Sequence, residues 1–470
     1  MAKDPHASGR FTVGPEENTK DISVGTRTLV IGPYLTSRAA ARRAASGAPE
    51  SNTRDFEARI EEASGLAAAI DIELVASMII PIAAPRPATF IGTGKIEELH
   101  EYVENEEITL VVVDCALSPV QQRNLERALK VKVIDRTGLI LEIFGRRART
   151  KEGTLQVELA HLSYQKSRLV RSWTHLERQR GGFGFLGGPG ETQIEADRRL
   201  IQERMMKIEK DLESVKRTRG LHRKGRDRAP YPIVALVGYT NAGKSTLFNR
   251  LTAAEVLAEN MLFATLDPTA RVTKLPHGAP IILSDTVGFI SDLPTMLVAA
   301  FRATLEDVIS ADVILHVRDV SHGDTEAQAA DVVSILRDLG IDPDDHGRLI
   351  EVWNKADLLS DEERQRLTGR MESRPSSEKP VLVSAITGDG IADLLSLIEK
   401  RVARASIVYS VALGPADGAR MNWLYEDTEV LERRMTEEGG YRLAIRVLPE
   451  KEARLLKRFP DARLMRREGH

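Results

Sequence analysis

A glycine-rich loop with the pattern GxxxxGK[ST] lies near the middle of this 470-residue chain. It belongs to the stretch IVALVGYTNAGKST, in which a β-branched strand pattern enters the loop and a helical pattern leaves it. Backbone N–H groups of such a loop and of the helix N-terminus can bind phosphates. Lys244 would reach the β- and γ-phosphates, and Ser245 would bind Mg²⁺. The expected nucleotide contacts in the loop are Gly238, Tyr239, Thr240, Asn241, Ala242, Gly243, Lys244 and Ser245.

Three later motifs follow strand patterns in the order typical of a guanine-nucleotide switch domain. In SDTVGF, Asp285 is placed to hold Mg²⁺ through water, and the N–H of Gly288 to contact the γ-phosphate. In NKAD, Asp357 can accept hydrogen bonds from N1–H and the exocyclic amine of guanine, a donor pair that adenine lacks. The stretch VSAITG would lie beside the base. The other contacts expected from these motifs are Thr286, Val287, Asn354, Lys355, Ala356, Ser384, Ala385 and Ile386.

A switch domain also needs a threonine that closes on Mg²⁺ and the γ-phosphate. The stretch FATLDPTAR offers Thr265 and Thr269, and spacing alone does not choose between them. The residue after the glycine of SDTVGF is Phe289, where Ras-like enzymes carry the glutamine that orients the attacking water. Because phenylalanine cannot orient water, we predict slow intrinsic hydrolysis and a partner that orders the site or supplies a group.

Basic residues are concentrated in the middle of the chain. Between Arg146 and Arg228 there are 21 Lys and Arg against 11 Asp and Glu, a net charge of +10, whereas the whole chain carries −3. Apolar residues on both sides of the stretch RGGFGFLGGPG recur at alternating steps of three and four, beginning with Leu155, Leu159 and Leu162, which predicts an antiparallel coiled-coil hairpin with these residues in its seam. Such a basic arm suits a polyanion such as RNA; an unevenly charged, solvated helical surface is the alternative interpretation.

The glycine-rich stretch is expected to form the tip of this hairpin. It holds Phe183, Phe185 and Leu186, and apolar groups in such a place can stack on or wedge between unpaired bases. Arg178 and Arg180 would contact the phosphates beside them. The alternative is that the apolar groups fold back onto the end of the hairpin.

Alternating strand and helix patterns on either side of the hairpin predict an α/β protein, with a parallel sheet in the N-terminal unit. The patterns after residue 405 indicate a small α/β domain with two strands and two helices. We predict a disordered polar tail over 1–24, an N-terminal α/β domain over 25–145, the basic hairpin over 146–225, a P-loop GTPase domain with a mostly parallel, doubly wound sheet over 231–404, and the small C-terminal α/β domain over 405–470.

Composition excludes several classes of protein. No apolar run approaches the ~18 residues that span a membrane, and the N-terminus lacks the apolar core of a signal peptide. A single cysteine, Cys115, rules out an internal disulfide and fits a reducing compartment. We therefore expect a cytoplasmic protein without membrane insertion, and we also expect it to act as a monomer. In IGTGKIEEL, Gly92 to Lys95 resemble part of a phosphate loop; a turn before a helix is favoured over an accessory nucleotide site.

Four longer motifs make the chain resemble the HflX GTPases, a branch of the translation-factor-related GTPases, over residues from about 25 to at least 404. They are FIGTGKIEEL at 90–99, GPGETQIEADRR at 188–199, FATLDPT at 263–269 and DTVGFISDLPTMLVAAFRATLED at 285–307. The resemblance implies that Thr265 is the Mg²⁺ ligand and that an apolar residue follows the switch glycine. It also implies that the neighbours of Thr265 lie beside the nucleotide: Phe263, Ala264, Leu266 and Asp267.

The family implies binding to the ribosomal RNA of the large ribosomal subunit, with splitting or rescue of stalled ribosomes under stress, or subunit maturation. Two other functions stay open on the sequence. One is a regulatory GTPase whose hairpin binds a protein or membrane surface. The other is an RNA-remodelling NTPase centred on an accessory nucleotide site in the N-terminal unit.

Overall fold

The computed structural model describes residues 25–36, 54–179, 189–226, 231–253, 263, 269–293, 305–404, 407–415, 417–436, 439–447 and 449–467. These residues form three separate sheets and a long helical hairpin.

The first sheet is parallel throughout, in the order β2-β1-β3-β4. Its strands are β1 (Arg27–Leu35), β2 (Glu73–Ile82), β3 (Leu110–Val113) and β4 (Lys132–Asp135). The helices that alternate with them are α1 (Phe56–Ala68), α2 (Thr93–Asn105), α3 (Pro119–Leu129) and α4 (Arg136–Arg147). Strands such as LVVV are buried along their whole length, as expected where helices cover both faces of a parallel sheet. The predicted parallel α/β unit is confirmed.

Helices α2 and α3 pack on one face of this sheet, and α1 and α4 pack on the other. The second face continues into the core of the next domain, because the ring of Phe144 on α4 meets that of Phe263 edge-on at 4.6 Å between centroids. Helix α3 begins with a capping box in which Ser118 and Gln121 exchange hydrogen bonds. Gly92 precedes the first residue of α2, so the turn-before-helix interpretation of IGTGKIEEL matches the structure.

The hairpin consists of α5 (Lys151–Gln179) and α6 (Pro189–Arg226). Glu158 on α5 pairs with Arg204 on α6 at 2.6 Å, and Lys166 bonds Gln202, as expected for antiparallel arms. The predicted hairpin is confirmed, but its buried face is wider than the predicted seam. Val157 and Ala160 on α5 are buried in the core of the N-terminal unit, whereas the predicted seam residues Leu155, Leu159 and Leu162 are half-buried.

The second sheet has the order β10-β9-β8-β5-β7-β6 and is parallel except for the β6–β7 pair. Its strands are β5 (Ile233–Gly238), β6 (Thr269–Lys274), β7 (Pro280–Asp285), β8 (Val313–Asp319), β9 (Leu349–Asn354) and β10 (Val381–Leu382). Its helices are α7 (Lys244–Thr252), α8 (Thr325–Asp338), α9 (Asp361–Glu372) and α10 (Ile391–Arg404). The four sequence motifs follow β5, β7, β9 and β10, so they meet at the carboxyl edge of the sheet, where ligands of such folds bind.

The third sheet is antiparallel, in the order β12-β13-β11-β14. It contains β11 (Ile407–Leu413), β12 (Glu429–Met435), β13 (Tyr441–Val447) and β14 (Arg463–Arg467), with helices α11 (Gly418–Asp427) and α12 (Pro449–Arg458). The prediction of two strands was incomplete. The missing strands, EVLERRM and RLMRR, are the two edges of the sheet, and charged edge strands lack the apolar pattern that reveals a strand.

Candidate nucleotide site

The phosphate loop lies between strand β5 and helix α7. A Cβ atom at Gly238 would lie 2.2 Å from the carbonyl oxygen of Val317, and one at Gly243 would lie 2.2 Å from Nδ2 of Asn354. Both glycines also have positive φ angles, 153° and 88°, so no other residue fits at either position. Gly243 cannot cap α7 with a side chain, and the N–H groups of the first turn therefore suit a bound anion.

Lys244 is the first residue of α7, and its side chain is buried. Its Nζ donates to the carbonyl oxygens of Tyr239 at 2.7 Å and of Gly238 at 3.1 Å. Burial lowers the pKa of Lys244 to about 8, and the carboxylate of Asp285 offsets only part of this effect. Because a neighbouring anion favours the charged form of a lysine, a bound phosphate would raise this pKa again.

The donor set for a magnesium ion lies beside the lysine. Ser245 Oγ donates to Oδ2 of Asp285 at 2.7 Å, where the end of β7 meets the start of α7. A hydroxyl and a carboxylate are the hard oxygen ligands that Mg²⁺ prefers, so the residues present fit the ion. Among the described residues, no group of three or more His, Cys, Asp or Glu side chains forms another candidate metal site.

The segment of residues 284–291, which begins with SDTVGF and which we call switch II, lies directly on the phosphate loop. The N–H of Phe289 donates to the carbonyl of Gly238 at 3.1 Å, and the N–H of Thr240 donates to the carbonyl of Phe289 at 2.7 Å. A Cβ atom at Gly288 would lie 2.9 Å from Cα of Thr240 and 3.1 Å from Nζ of Lys244. The switch glycine therefore lies close to the lysine that is expected to bind the γ-phosphate, without ordinary space for a side chain.

The side chains of switch II point into the protein. Thr286 Oγ1 donates to the carbonyl of Leu236 at 2.6 Å, and Val287 is buried. Phe289 is 1% exposed and lines a small apolar pocket with Val287, Leu293 and Phe144 of α4. The ring cannot place a water molecule on a phosphate from there.

The NKAD and VSAITG motifs come together around the expected position of the base. Asn354 Nδ2 donates to the carbonyl of Ala242 at 2.9 Å, and its Oδ1 accepts from the N–H of Ala385 at 3.0 Å. Ser384 Oγ donates to Oδ1 of Asp357 at 2.6 Å. Asn354 thus joins the phosphate loop to the base loop, and Ser384 fixes the carboxylate expected to read guanine.

The other residues of these motifs frame the same place. Lys355 has a φ of 67°, and its Nζ pairs with Asp319 at 2.7 Å. Ala356 is buried, whereas Ile386 is exposed and its carbonyl accepts from Arg250 at 2.9 Å. The structure brings all residues predicted from these two motifs to one edge of the sheet; their roles remain predictions.

The other predicted site residues lie in several parts of the chain. Phe263 is buried against Phe144, as described above. Asn241 lies in the phosphate loop with a φ of 59°. The segment around the predicted Mg²⁺ ligand lies outside the described residues: Ala264, Thr265, Leu266 and Asp267. The tip residues Arg180, Phe183, Phe185 and Leu186 also lie outside them, and Arg178 is placed only as part of α5.

A group of polar residues, of which the sequence motifs predicted only Tyr239 as a site residue, lies where the N-terminal unit meets the phosphate loop and switch II. We call it the interdomain cluster and define it as Arg54, Glu62, Arg136, Tyr239 and Ser291. Side-chain exposure is 1% for Arg54 and 8% for both Glu62 and Arg136. Burial raises the pKa of Glu62, but the two guanidinium groups outweigh this effect and hold it below its usual range. The carboxylate is therefore charged and paired in the interior.

Protein-family models match the chain along most of its length. A model described as GTP-binding GTPase N-terminal matches residues 57–145, and GTP-binding GTPase Middle Region matches 147–226. A model described as 50S ribosome-binding GTPase matches 233–355, and the HflX C-terminal domain matches 367–467.

Named relatives cover nearly the same length. A GTPase HflX of Magnetococcus marinus is 51% identical over 82% of this chain and 88% of its own. A GTPase HflX of Escherichia coli is 43% identical over 85% of this chain and 92% of its own. Among solved structures, a GTP-binding protein of Sulfolobus solfataricus in complex with GDP is 23% identical, with a TM-score of 0.42, over 80% of this chain and 99% of that one. In the described part of the chain, no helix is both long and apolar enough to cross a membrane.

Proposed function

The chain belongs to the HflX family of GTPases, and from that membership we propose that it acts on the large ribosomal subunit and separates or rescues stalled ribosomes in the cytoplasm. GTP binding and hydrolysis follow from the family and the P-loop domain. The observation that carries the ribosomal proposal is the match of residues 233–355 to the family model described as a 50S ribosome-binding GTPase.

The hairpin supports this target by its length. Its helices have 29 and 38 residues, which corresponds to about 43 Å and about 57 Å at the rise of an α-helix. Its segment also carries the excess of Lys and Arg noted above, which would neutralise RNA phosphates and make binding salt-sensitive. We propose that Arg178 and Arg180 supply affinity and that the apolar tip supplies the wedge, through Phe183, Phe185 and Leu186.

Three groups of residues would have different roles in the GTP site. The Lys244 ammonium balances the negative charge of the β- and γ-phosphates, and burial keeps water from competing with it. Asp357, fixed by Ser384, accepts the two donors of guanine. Ser245 and Asp285, with Thr265, would hold Mg²⁺, which when bound supplies charge stabilisation to the phosphates.

The placement of Phe289 supports the proposal that hydrolysis requires a partner. Its ring is buried in the apolar pocket, and no glutamine follows Gly288 to orient water. Hydrolysis should therefore be slow until the large subunit orders the switch segments or contributes a group.

We also propose that the segments predicted from sequence act as domains of a monomer, and that the GTPase domain times release from the subunit.

Co-sedimentation with purified large subunits tests the target. The chain should sediment with subunits most strongly in a non-hydrolysable GTP analogue and least in GDP, and rising salt should weaken binding. A Lys244→Ala variant should lose the difference between nucleotides. Weak sedimentation with subunits in every nucleotide, or binding unaffected by RNase, would favour a protein or membrane target instead.

Light scattering of intact ribosomes tests the action. Addition of protein and GTP should lower scattering as subunits separate, and a reaction with GDP serves as control. Strong subunit binding with no change in scattering would contradict splitting, and preferential binding to immature subunits would then support maturation.

A further inference from the structure

The hydroxyl of Tyr239, the second residue of the phosphate loop, is bonded to the N-terminal unit. It donates to Oε2 of Glu62 at 2.5 Å and accepts from Nη1 of Arg54 at 3.0 Å. Tyr239 itself is 4% exposed. A residue of the GTP site is thus held by two buried charged groups that come from another domain.

The same groups hold switch II at Ser291, three residues after Gly288. The N–H of Ser291 donates to the hydroxyl of Tyr239 at 2.9 Å, and its carbonyl accepts from Nη2 of Arg136 at 3.1 Å. Its Oγ donates to Oε1 of Glu62 at 3.2 Å. Every polar atom of Ser291 is therefore bonded inside the interdomain cluster, and the serine cannot move without breaking several of these bonds.

The fixed position of Ser291 restricts the movement of Gly288, which lies three residues earlier in the chain. Gly288 lies so close to Thr240 and Lys244 that a Cβ atom added to it would be 2.9 Å from Cα of Thr240 and 3.1 Å from Nζ of Lys244. A γ-phosphate that binds both that lysine and the N–H of Gly288 must fit between them, where even an added Cβ atom would be crowded. Switch II must then move away from the phosphate loop, and Ser291 must move with it or the short segment between them must distort.

We propose that the interdomain cluster is a brake that holds switch II in the position that excludes a γ-phosphate. The inference rests on the proposed GTP site and adds the residues that set its preference between GDP and GTP. A ligand shifts an equilibrium only by its different interactions with the two states. GDP has no γ-phosphate, so its affinity should not depend on the cluster. GTP can bind only if switch II is displaced, so the cluster should lower its affinity.

Two conservative substitutions in the full chain test the brake. Tyr239→Phe removes only the hydroxyl, and Ser291→Ala removes only Oγ. For both variants, the affinity for a fluorescent non-hydrolysable GTP analogue should rise relative to GDP by about 3- to 10-fold, the equilibrium change that one hydrogen bond corresponds to. Melting temperatures show whether each variant is folded.

Tyr409→Phe provides a matched control. Tyr409 is also buried and also donates its hydroxyl to a glutamate, Glu452, at 2.6 Å, but in the C-terminal domain. This variant should keep the parental ratio of affinities. Folded Tyr239→Phe and Ser291→Ala variants that both keep the parental ratio would overturn the brake alone. Failure of the unchanged protein to bind either nucleotide would overturn the proposed GTP site and the brake with it.

Discussion

Replacing Asp357 with asparagine tests the reading of the base. Asp357 lies in the short 3-10 turn Ala356–Leu358, and its Oδ1 accepts from Ser384 Oγ at 2.6 Å. An asparagine must keep its oxygen towards the serine hydroxyl to retain that bond. Its NH₂ group then takes the place of the second carboxylate oxygen and presents a donor to the donors of guanine.

The expected loss of GTP affinity in the Asp357→Asn variant follows from this geometry. Removing charge-assisted hydrogen bonds to guanine should cost about 2–4 kcal/mol in GTP affinity, which is roughly 30- to 1,000-fold in Kd. Xanthine carries an oxygen in place of the exocyclic amine, so the asparagine NH₂ group can donate to it. The frame of the site should persist, because Asn354 bonds Ala242 and Ala385 independently of Asp357.

The assay measures Kd for GTP and XTP by calorimetry in the parent, in Asp357→Asn and in Asp361→Asn. Asp361 is an exposed aspartate four positions further on, at the start of α9, so its replacement removes the same charge without touching the base. Only Asp357→Asn should lose GTP and gain XTP, and its binding to large subunits should then follow XTP. Unchanged GTP affinity in Asp357→Asn, or an equal loss in both variants, would refute the assignment.

Three further predictions concern activation, protonation and the hairpin tip. Because Phe289 leaves the attacking water unplaced, large subunits should raise the GTPase rate at least ~10-fold, and added salt should reduce this stimulation. Because the pKa of Lys244 is about 8 in the free protein and bound phosphate should raise it, GTP binding above pH 8 should take up a proton. Affinity should then fall by up to ~10-fold per pH unit above 8 and stay level just below it, as calorimetry in buffers of different ionisation enthalpy can show. Finally, replacing the tip residues Phe183, Phe185 and Leu186 together with serine should weaken subunit binding moderately. The same variant should no longer split ribosomes in the light-scattering assay.

Each of these three predictions would be contradicted by a specific result. A GTPase rate that is already fast alone and unchanged by ribosomes would show that Phe289 does not limit hydrolysis. Calorimetric proton uptake of zero at pH 8.5 would show that Lys244 is charged before GTP arrives. Normal splitting by the serine variant would mean that the tip is only structural; the paired variant that neutralises Arg178 and Arg180 should instead lose affinity and its salt dependence while keeping activity at saturating protein.

The nucleotide motifs could be predicted from sequence because each residue type is set by local chemistry. Gly238 and Gly243 have no space for a side chain, and Lys244 is buried at the start of the helix that follows them. Such constraints leave a fixed spacing in one short stretch of chain. The parallel sheets were equally visible, because strands buried on both faces are continuously apolar.

The interdomain cluster could not be predicted in this way. Tyr239 is 177 positions from Glu62, and Arg54 is 237 positions from Ser291. Each of these residues, taken alone, is an ordinary polar residue of a helix, loop or strand end. Their pairing depends on how two domains pack, which no periodicity or local spacing records. Strands β12 and β14 were not predicted for a related reason. They are edge strands, and their charged residues do not give the apolar pattern that indicates a strand.

The packing also joins the hairpin to switch II through two adjacent residues. Asp135, the last residue of β4, accepts from Tyr164 Oη at 2.6 Å and from Arg168 Nη2 at 2.7 Å, both on α5. Its neighbour Arg136 donates to the carbonyl of Ser291 at 3.1 Å. A subunit that displaces α5 would therefore pull on the cluster that holds switch II without touching the GTP site. If the brake works as proposed, Tyr239→Phe should raise basal hydrolysis of GTP and shrink the further stimulation by large subunits, because part of the restraint that the ribosome must release is already gone.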